Sequence, residues 1–404
     1  VKVKVKSDEF SKKVKVAAQA AVGKLGGEGA DIFTCLKIVA KGKQIEVTGT
    51  GMDICINKKF DADVENEGAV AVPAKILSDA VDLCDSEFTT LEIVNKKLRV
   101  KSGSFKIDLS VMPEEKYPDP VIEDIEKTIS VPASALKSMI QAVTSNAATD
   151  EARPVLAGAL IKTENDGDKG GQLVLAATDG FRLAEAKWPT ELPAGMKEIK
   201  AILPRRGLEK LVRSLEGEEN VAIGMSQNGR VQFRHNGTVV TVNGISGSFP
   251  DYLPLIPKEA ATIISFATAS LLRGLQAGRL IGLQGNFSMK PKENGKGNVT
   301  LEVEGDNGEV EKNIEAMIKG EAQKICINLQ YLRDAIEGCE RLGYGGVYMS
   351  TLGFDKPLLI KPPEDKEKKK PGARFIVMPS MGNKKAPDAE KEAPVATVAA
   401  PAAA

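Results

Sequence analysis

The sequence predicts an α+β protein built from three similar domains, each with two helices packed on antiparallel sheet. Three observations carry that reading. The stretch at 48–56 (TGTGMDICI) returns at 176–184 (AATDGFRLA) and more faintly at 303–314 (VEGDNGEVEKNI), so that Asp53, Asp179 and Asp306 stand 126 and 127 residues apart. Two other markers keep nearly the same period. Val72-Pro73-Ala74, Leu203-Pro204-Arg205 and Ile327-Asn328-Leu329 each open an apolar run, and Ser7-Asp8, Val131-Pro132-Ala133 and Ala267-Thr268 interleave with them. Between markers, apolar residues alternate at a period of two, as half-buried strands require, then switch to short helical stripes. A period this long is that of a domain and not of a solenoid repeat.

The expected domains span 1–127, 128–258 and 259–382. In the first, strands are read at 1–6, 44–47, 89–94, 97–100 and 105–109, with helices at 7–22 and 73–84. The second helix puts Ile76, Leu77, Ala80, Val81 and Cys84 on one stripe. In the second domain, helices are read at 132–143 and 204–215, and strands at 173–177, 221–225, 230–233 and 238–242. Asn228-Gly229 and Asn236-Gly237 supply hairpin turns there. The third has helices at 267–275 and 328–339, and strands at 298–303 and 347–351. Three helices are expected to carry Pro in their first turn, where its missing N–H costs nothing. The stretches 117–127 (YPDPVIEDIEK) and 249–258 (FPDYLPLIPK) read as equivalent joints between domains. Residues 361–372 read as an exposed loop, and the Ala/Pro-rich tail 383–404 has too little apolar content for a core and is expected to be disordered.

Composition bounds the chemistry. Length and period agree on three cores, and at 4% aromatic content those cores must be aliphatic. With 55 basic and 55 acidic residues, a uniformly basic coat is excluded, but a basic face balanced by acid elsewhere is not. The five cysteines are odd in number, form no CxxC and fall in apolar patterns, the signature of buried free thiols in a reducing compartment. No signal peptide or apolar run of membrane length is read, so a soluble intracellular protein is expected. His235, the single histidine, lies beside the Asn236-Gly237 turn and is expected at the surface, with no second histidine for a metal site or a base. The glycine-rich run 23–29 lacks the spacing of a phosphate loop. The reading is a protein without catalytic residues, metal or cofactor.

Five stretches, in this order and spacing, carry a resemblance: 149–160 (TDEARPVLAGAL), 177–184 (ATDGFRLA), 202–211 (ILPRRGLEKL), 249–257 (FPDYLPLIP) and 375–379 (FIVMP). The chain resembles the beta sliding clamp of bacterial DNA polymerase III from residue 1 to about 382. The resemblance implies a DNA-clamp fold in which two three-domain chains close head to tail as a ring-forming dimer, sheet outside and helices lining the hole. It implies a cytoplasmic homodimer that encircles duplex DNA without reading sequence and tethers the replicative polymerase as a processivity factor. Clamp loader and repair polymerases would dock through short linear peptide motifs.

By the same resemblance, Lys12, Lys24, Lys75, Lys137, Arg205, Arg206, Lys210, Arg273 and Arg279 would face DNA. Ile107, Leu280 and Ile281 would contribute to the dimer contact. A peptide groove would be formed by Arg153, Leu156, Thr178, Gly180, Arg182, Leu183, Pro250, Tyr252, Leu255, Asn328, Tyr331, Ile376, Met378 and Pro379. Phe181 stands where the family often has His, Pro254 where Arg is frequent, and 30–36 (ADIFTCL) departs from the usual first-domain pattern. A clamp relative that does not encircle DNA and serves as a peptide-binding adaptor is the alternative. A multi-domain hydrolase is a third reading, disfavoured by the missing nucleophile and base.

Overall fold

The computed structural model describes residues 1–21, 30–118, 122, 124–150, 152–165, 170–226, 228–291, 296–367 and 369–380. One order of elements runs three times. The first module holds β1 (Lys2–Lys6), α1 (Ser7–Ala18), β2 (Cys35–Lys41), β3 (Gln44–Thr50), β4 (Ile54–Asp61), β5 (Asp63–Asn66), β6 (Gly68–Pro73), α2 (Ala74–Asp82), β7 (Phe88–Val94), β8 (Lys97–Ser102) and β9 (Phe105–Ser110). The second holds β10 (Ile129–Pro132), α3 (Ala133–Thr144), β11 (Gly158–Asn165), β12 (Gly171–Thr178), β13 (Arg182–Thr190), β14 (Lys200–Pro204), α4 (Arg205–Ser214), β15 (Asn220–Met225), β16 (Val231–His235) and β17 (Thr238–Val242). The third holds β18 (Thr262–Ala267), α5 (Thr268–Arg279), β19 (Gln284–Lys290), β20 (Lys296–Gly305), β21 (Gly308–Gly320), β22 (Gln323–Asn328), α6 (Leu329–Arg341), β23 (Gly346–Thr351), β24 (Leu358–Lys361) and β25 (Gly372–Val377). Apart from the extra β5, element matches element.

The markers acquire structural meaning. Asp53, Asp179 and Asp306 each stand in the turn before the fourth strand of their module, that is before β4, β13 and β21. The other two markers are strand-to-helix junctions. Pro73, Pro132 and Pro204 do not enter the helix as expected. Each ends the preceding strand with φ near −58° and an extended ψ of 121°, 135° or 136°, and the helix begins one residue later. Proline's fixed φ suits both states, while its absent N–H makes it a natural last strand residue. Helix α1 stops at Ala18, short of the expected 22, and α5 runs on to Arg279, past the expected 275.

His235 also departs from expectation. It is buried in β16, with Nδ1 3.3 Å from the Asn220 carbonyl and Nε2 against the Glu216 carbonyl, so it ties down the loop after α4 and does not decorate a turn. Of the five thiols only Cys35 and Cys339 are buried; Cys55, Cys84 and Cys326 are partly exposed, and all five are free.

Cores are mainly aliphatic, with Phe10, Phe233, Phe287 and Phe375 fully buried among them. The first module packs Val3, Phe10, Leu36, Val47, Leu77, Leu91 and Val100. A second, larger core is continuous through the other two modules and takes in Ile54 and Ile56 of β4. Strands cross module boundaries to make this possible. β17 pairs antiparallel with β4 from Thr238–Lys58 to Val242–Ile54, and β25 pairs with β13 from Val377–Arg182 to Gly372–Lys187. Each joint thus joins the last strand of one module to the fourth strand of the preceding one. The connecting segments fold back: Tyr117 is buried with its hydroxyl donating to the Thr48 carbonyl at 3.0 Å, and Tyr252 is buried with its hydroxyl on Glu185 at 2.6 Å.

Candidate nucleic-acid face and peptide groove

The six helices form one row in the order α2, α1, α4, α3, α6, α5, each packed on its neighbours. Apolar residues bury one side of each helix; the other carries charge. Lys12, Lys75, Arg206 and Arg273 are exposed on α1, α2, α4 and α5. The remaining candidates are engaged to different degrees. Arg205 is half-buried and pairs with Glu209 one turn on, at 2.8 Å. Lys137 donates to the Leu215 carbonyl at 2.8 Å, satisfying an orphan acceptor at the end of α4. Lys210 is half-buried; burial pushes its ammonium pKa down, with Asp53 pulling it back up. Arg279 has its Nε shut from solvent with no hydrogen-bond partner among the described residues. Lys24 lies outside the described residues. Of the cations assigned to DNA, the structure therefore presents Lys12, Lys75, Arg206 and Arg273 most openly.

The groove candidates gather around the joint between the second and third modules, but in two layers. The floor is a small apolar cluster of Leu160, Ala176, Leu183, Tyr252, Leu359 and Ile376, with Leu183 directly opposite Ile376 across the β13–β25 pair. These side chains are interior. Above it, Phe181, Leu253, Leu255 and Met378 are exposed at 60%, 48%, 56% and 38%. The Met378 amide donates to the Phe181 carbonyl at 2.9 Å, which sets these two side by side. Arg153, exposed, reaches the Asp179 carbonyl at 3.4 Å; Leu156 is half-buried and Pro250 exposed.

The polar candidates hold the joint rigid. Thr178 Oγ1 donates to the Arg182 carbonyl at 2.6 Å and accepts from the Gly180 amide at 3.1 Å. Gly180 has φ +97°, a value open to glycine and strained for other residues, and this closes the tight turn over Asp179. Asp179 accepts from the Phe181 and Arg182 amides. The Arg182 guanidinium is fixed from three sides: Asp179 at 2.9 Å, Asp334 of α6, and the Tyr331 ring with its centre 4.5 Å away. Asn328 caps α6 by accepting from the Gln330 and Tyr331 amides. Pro379 bridges to Ile327, and the Ser380 amide donates to the Cys326 carbonyl at 2.8 Å. A cleft of about 690 Å³ adjoins the floor, lined among others by Leu160, Lys200, Ile202, Pro250 and Tyr252. Arg182, Asn328 and Thr178 therefore serve the joint itself, and the surface open to a partner is Phe181, Leu253, Leu255, Met378 and Arg153.

Two family models match: the N-terminal domain of the DNA polymerase III beta subunit over residues 1–122, and its central domain over 130–251. The chain belongs to the DNA polymerase III beta-subunit family. Its members are sliding clamps, not enzymes. Among similar relatives, the beta sliding clamp of Bacillus subtilis is 27% identical over 356 residues, covering 83% of this chain and 89% of that protein. The one from Streptomyces coelicolor is 24% identical over 94% of this chain and 99% of its own. Solved clamps share the fold: that of Bacillus subtilis superposes with a TM-score of 0.84 at 23% identity over 94% of this chain and 98% of its own, and that of Thermotoga maritima with 0.81 at 22% over 94% and 99%.

Sequence reasoning left Leu253 and Asp334 out of the groove set and noted Phe181 only as a departure. Leu253 could have been found from its alternation with Leu255 around Pro254 in a Pro-rich joint. Nothing local marks Asp334, whose partner Arg182 is 152 residues away.

Proposed function

We propose that two copies of this chain close head to tail around duplex DNA and hold the replicative polymerase there, with clamp loader and repair polymerases docking by short peptides on the Phe181–Met378 surface. One observation carries the ring. Each internal joint uses the last strand of one module, the fourth strand of the module before it, and a pair of helices: α1 with α4, then α3 with α6. Among the described elements, the same parts are left over once. β9 is a sheet edge, β21 pairs with β18 only through its last four residues, and α2 and α5 end the helix row. Repeating the joint between copies uses all four.

Charge supports the pairing. The β8–β9 hairpin carries Lys97, Arg99, Lys101 and Lys106 against Asp108, while β20–β21 carries Glu302, Glu304, Asp306, Glu309, Glu311 and Glu315 against Lys296, Lys312 and Lys319. Such complementarity speeds and orients association. Exposed Leu280, with half-buried Ile281 and Ile107, supplies apolar contact at the same edges. Exposed lysines and arginines on the helix row would then face the hole and hold phosphate loosely by counterion release, so retention rests on topology and not on affinity. The domain limits 1–127, 128–258 and 259–382 follow the repeated elements, and a cytoplasmic setting accompanies a replication clamp.

The test is retention on a nicked circular plasmid after loading, washed in high salt, before and after a single cut. Retention on the circle and loss from the linear form is expected; loss from both would favour the adaptor. For the groove, Phe181→Ala and Met378→Ala are each expected to weaken a fluorescent clamp-binding peptide about tenfold, with retention on circles unchanged.

A further inference from the structure

The charges on α2 run against its dipole. Lys75 stands at the positive N-terminal end, while Asp82 and Asp85 flank the C-terminus, where partial negative charge from the orphan carbonyls makes carboxylates unfavourable. Lys15 answers one of them, pairing with Asp82. Between the two, Leu83 is 61% exposed, following directly on a helix that buries Ala74, Leu77, Ala80 and Val81. On α5 the complement appears. Arg279, in the last turn, is half-buried, with no acceptor for its Nε among the described residues, and Leu280 beside it is 78% exposed.

The internal joint between the second and third modules shows how such ends meet. There Arg341, in the last turn of α6, donates to the Gln141 carbonyl on α3 at 2.9 Å, and Gly338 lies where an added Cβ would come 3.5 Å from the Ala142 carbonyl. The C-terminal halves of the two helices touch. Counting from the first helical residue, Ala142 corresponds to Ala277 of α5 and Gly338 to Leu83 after α2. A joint of that shape between copies brings the end of α5 against the end of α2.

We infer that Arg279 is a closure residue and not a DNA contact: its guanidinium seats on the Asp82–Asp85 end of α2 in a second copy of this chain, with Leu280 packed on Leu83. This rests on the ring reading above and assigns that interface a specific latch. The arrangement sets the guanidinium beside the exposed Asp82 and Asp85 carboxylates and covers both leucines. It also makes closure salt-sensitive at this point, because the carboxylates are exposed and screened.

Sedimentation velocity across a dilution series tests it, with melting temperature checking that each variant is folded. Arg279→Glu is expected to weaken the dimer at least tenfold, whereas Lys258→Glu, an exposed cation in the 249–258 connection, leaves it unchanged. Asp85→Lys, which spares the Lys15 pair, is expected to weaken it as well, and combining it with Arg279→Glu is expected to restore most of the loss. If Arg279→Glu behaves like Lys258→Glu, or the combined variant shows no recovery over Arg279→Glu alone, the latch is overturned while the ring stands. If the unaltered chain stays monomeric at every concentration, the ring reading fails first.

Discussion

The two internal joints share a topology but not a chemistry. Between the first and second modules, β4 and β17 meet through Ile54, Ile56, Val240 and Val242, all nearly or fully buried, with Asn243 reaching across to the Met52 and Asp53 carbonyls. Among the described residues, the charged group buried there is Lys58, on β4 opposite Thr238. Between the second and third, Leu183, Ala184, Phe375 and Ile376 are buried likewise, and ionic groups are added: Arg182 is held by Asp179 and Asp334, while buried Glu185 takes both Arg374 and the Tyr252 hydroxyl. An apolar joint tolerates little reshaping, whereas an ionic one fixes orientation through a few directional contacts. The exposed apolar surface available to a peptide lies over the ionic joint. The groove proposed beside it would be shaped by those contacts.

Breaking each joint should separate these roles. The largest effect is expected from Val240→Asp, which places an uncompensated carboxylate in the apolar joint and should cost roughly 3–5 kcal/mol in urea unfolding. Arg182→Ala removes the cation shared by Asp179 and Asp334 and should cost roughly 2–3 kcal/mol. It should also weaken peptide binding, through loss of groove shape, and leave retention on circular DNA intact. A variant that lost retention but kept peptide affinity would contradict the division of labour.

The smallest effect sharpens the comparison by pH. Burial lowers the Lys58 pKa in the folded chain, while the unfolded chain keeps the ordinary value of 10.5. Between those values the unfolded chain binds more protons, so stability rises with pH through that window, and below it the cost of a buried ammonium is present in full. Lys58→Met should remove that rise and be neutral or more stable by about 1 kcal/mol at pH 7. Urea unfolding at pH 7 and pH 10 reads both. A steeper pH dependence in the variant would show that Lys58 is a favourable pair.

Much of this was legible in the sequence because repetition marks what local pattern cannot. The Asp markers at 53, 179 and 306 fixed the period of the modules, and the strand-to-helix junctions located all six helices. Strands such as β8, with its period of two, and β12, a short apolar run, were readable. β4 and β13 were not, since Lys58 and Glu185 are charged yet buried within them, which breaks the pattern. Glu185 is accommodated by Tyr252 and Arg374, 67 and 189 residues away, a distance no spacing rule spans. Exposure divides the groove set read from resemblance: Leu183, Ile376 and Tyr252 are buried, and Arg182 belongs to the joint.

The most direct measurement is amide hydrogen exchange of the whole chain at two protein concentrations, comparing the closed joints with the open edges. If the leftover elements close on a second copy, amides of β9 and of the 308–316 part of β21 gain protection as concentration rises. Those of β4, β17, β13 and β25 should stay equally protected at both. Equal exchange of β9 and β21 at every concentration at which the chain is retained on circular DNA would contradict closure through these edges.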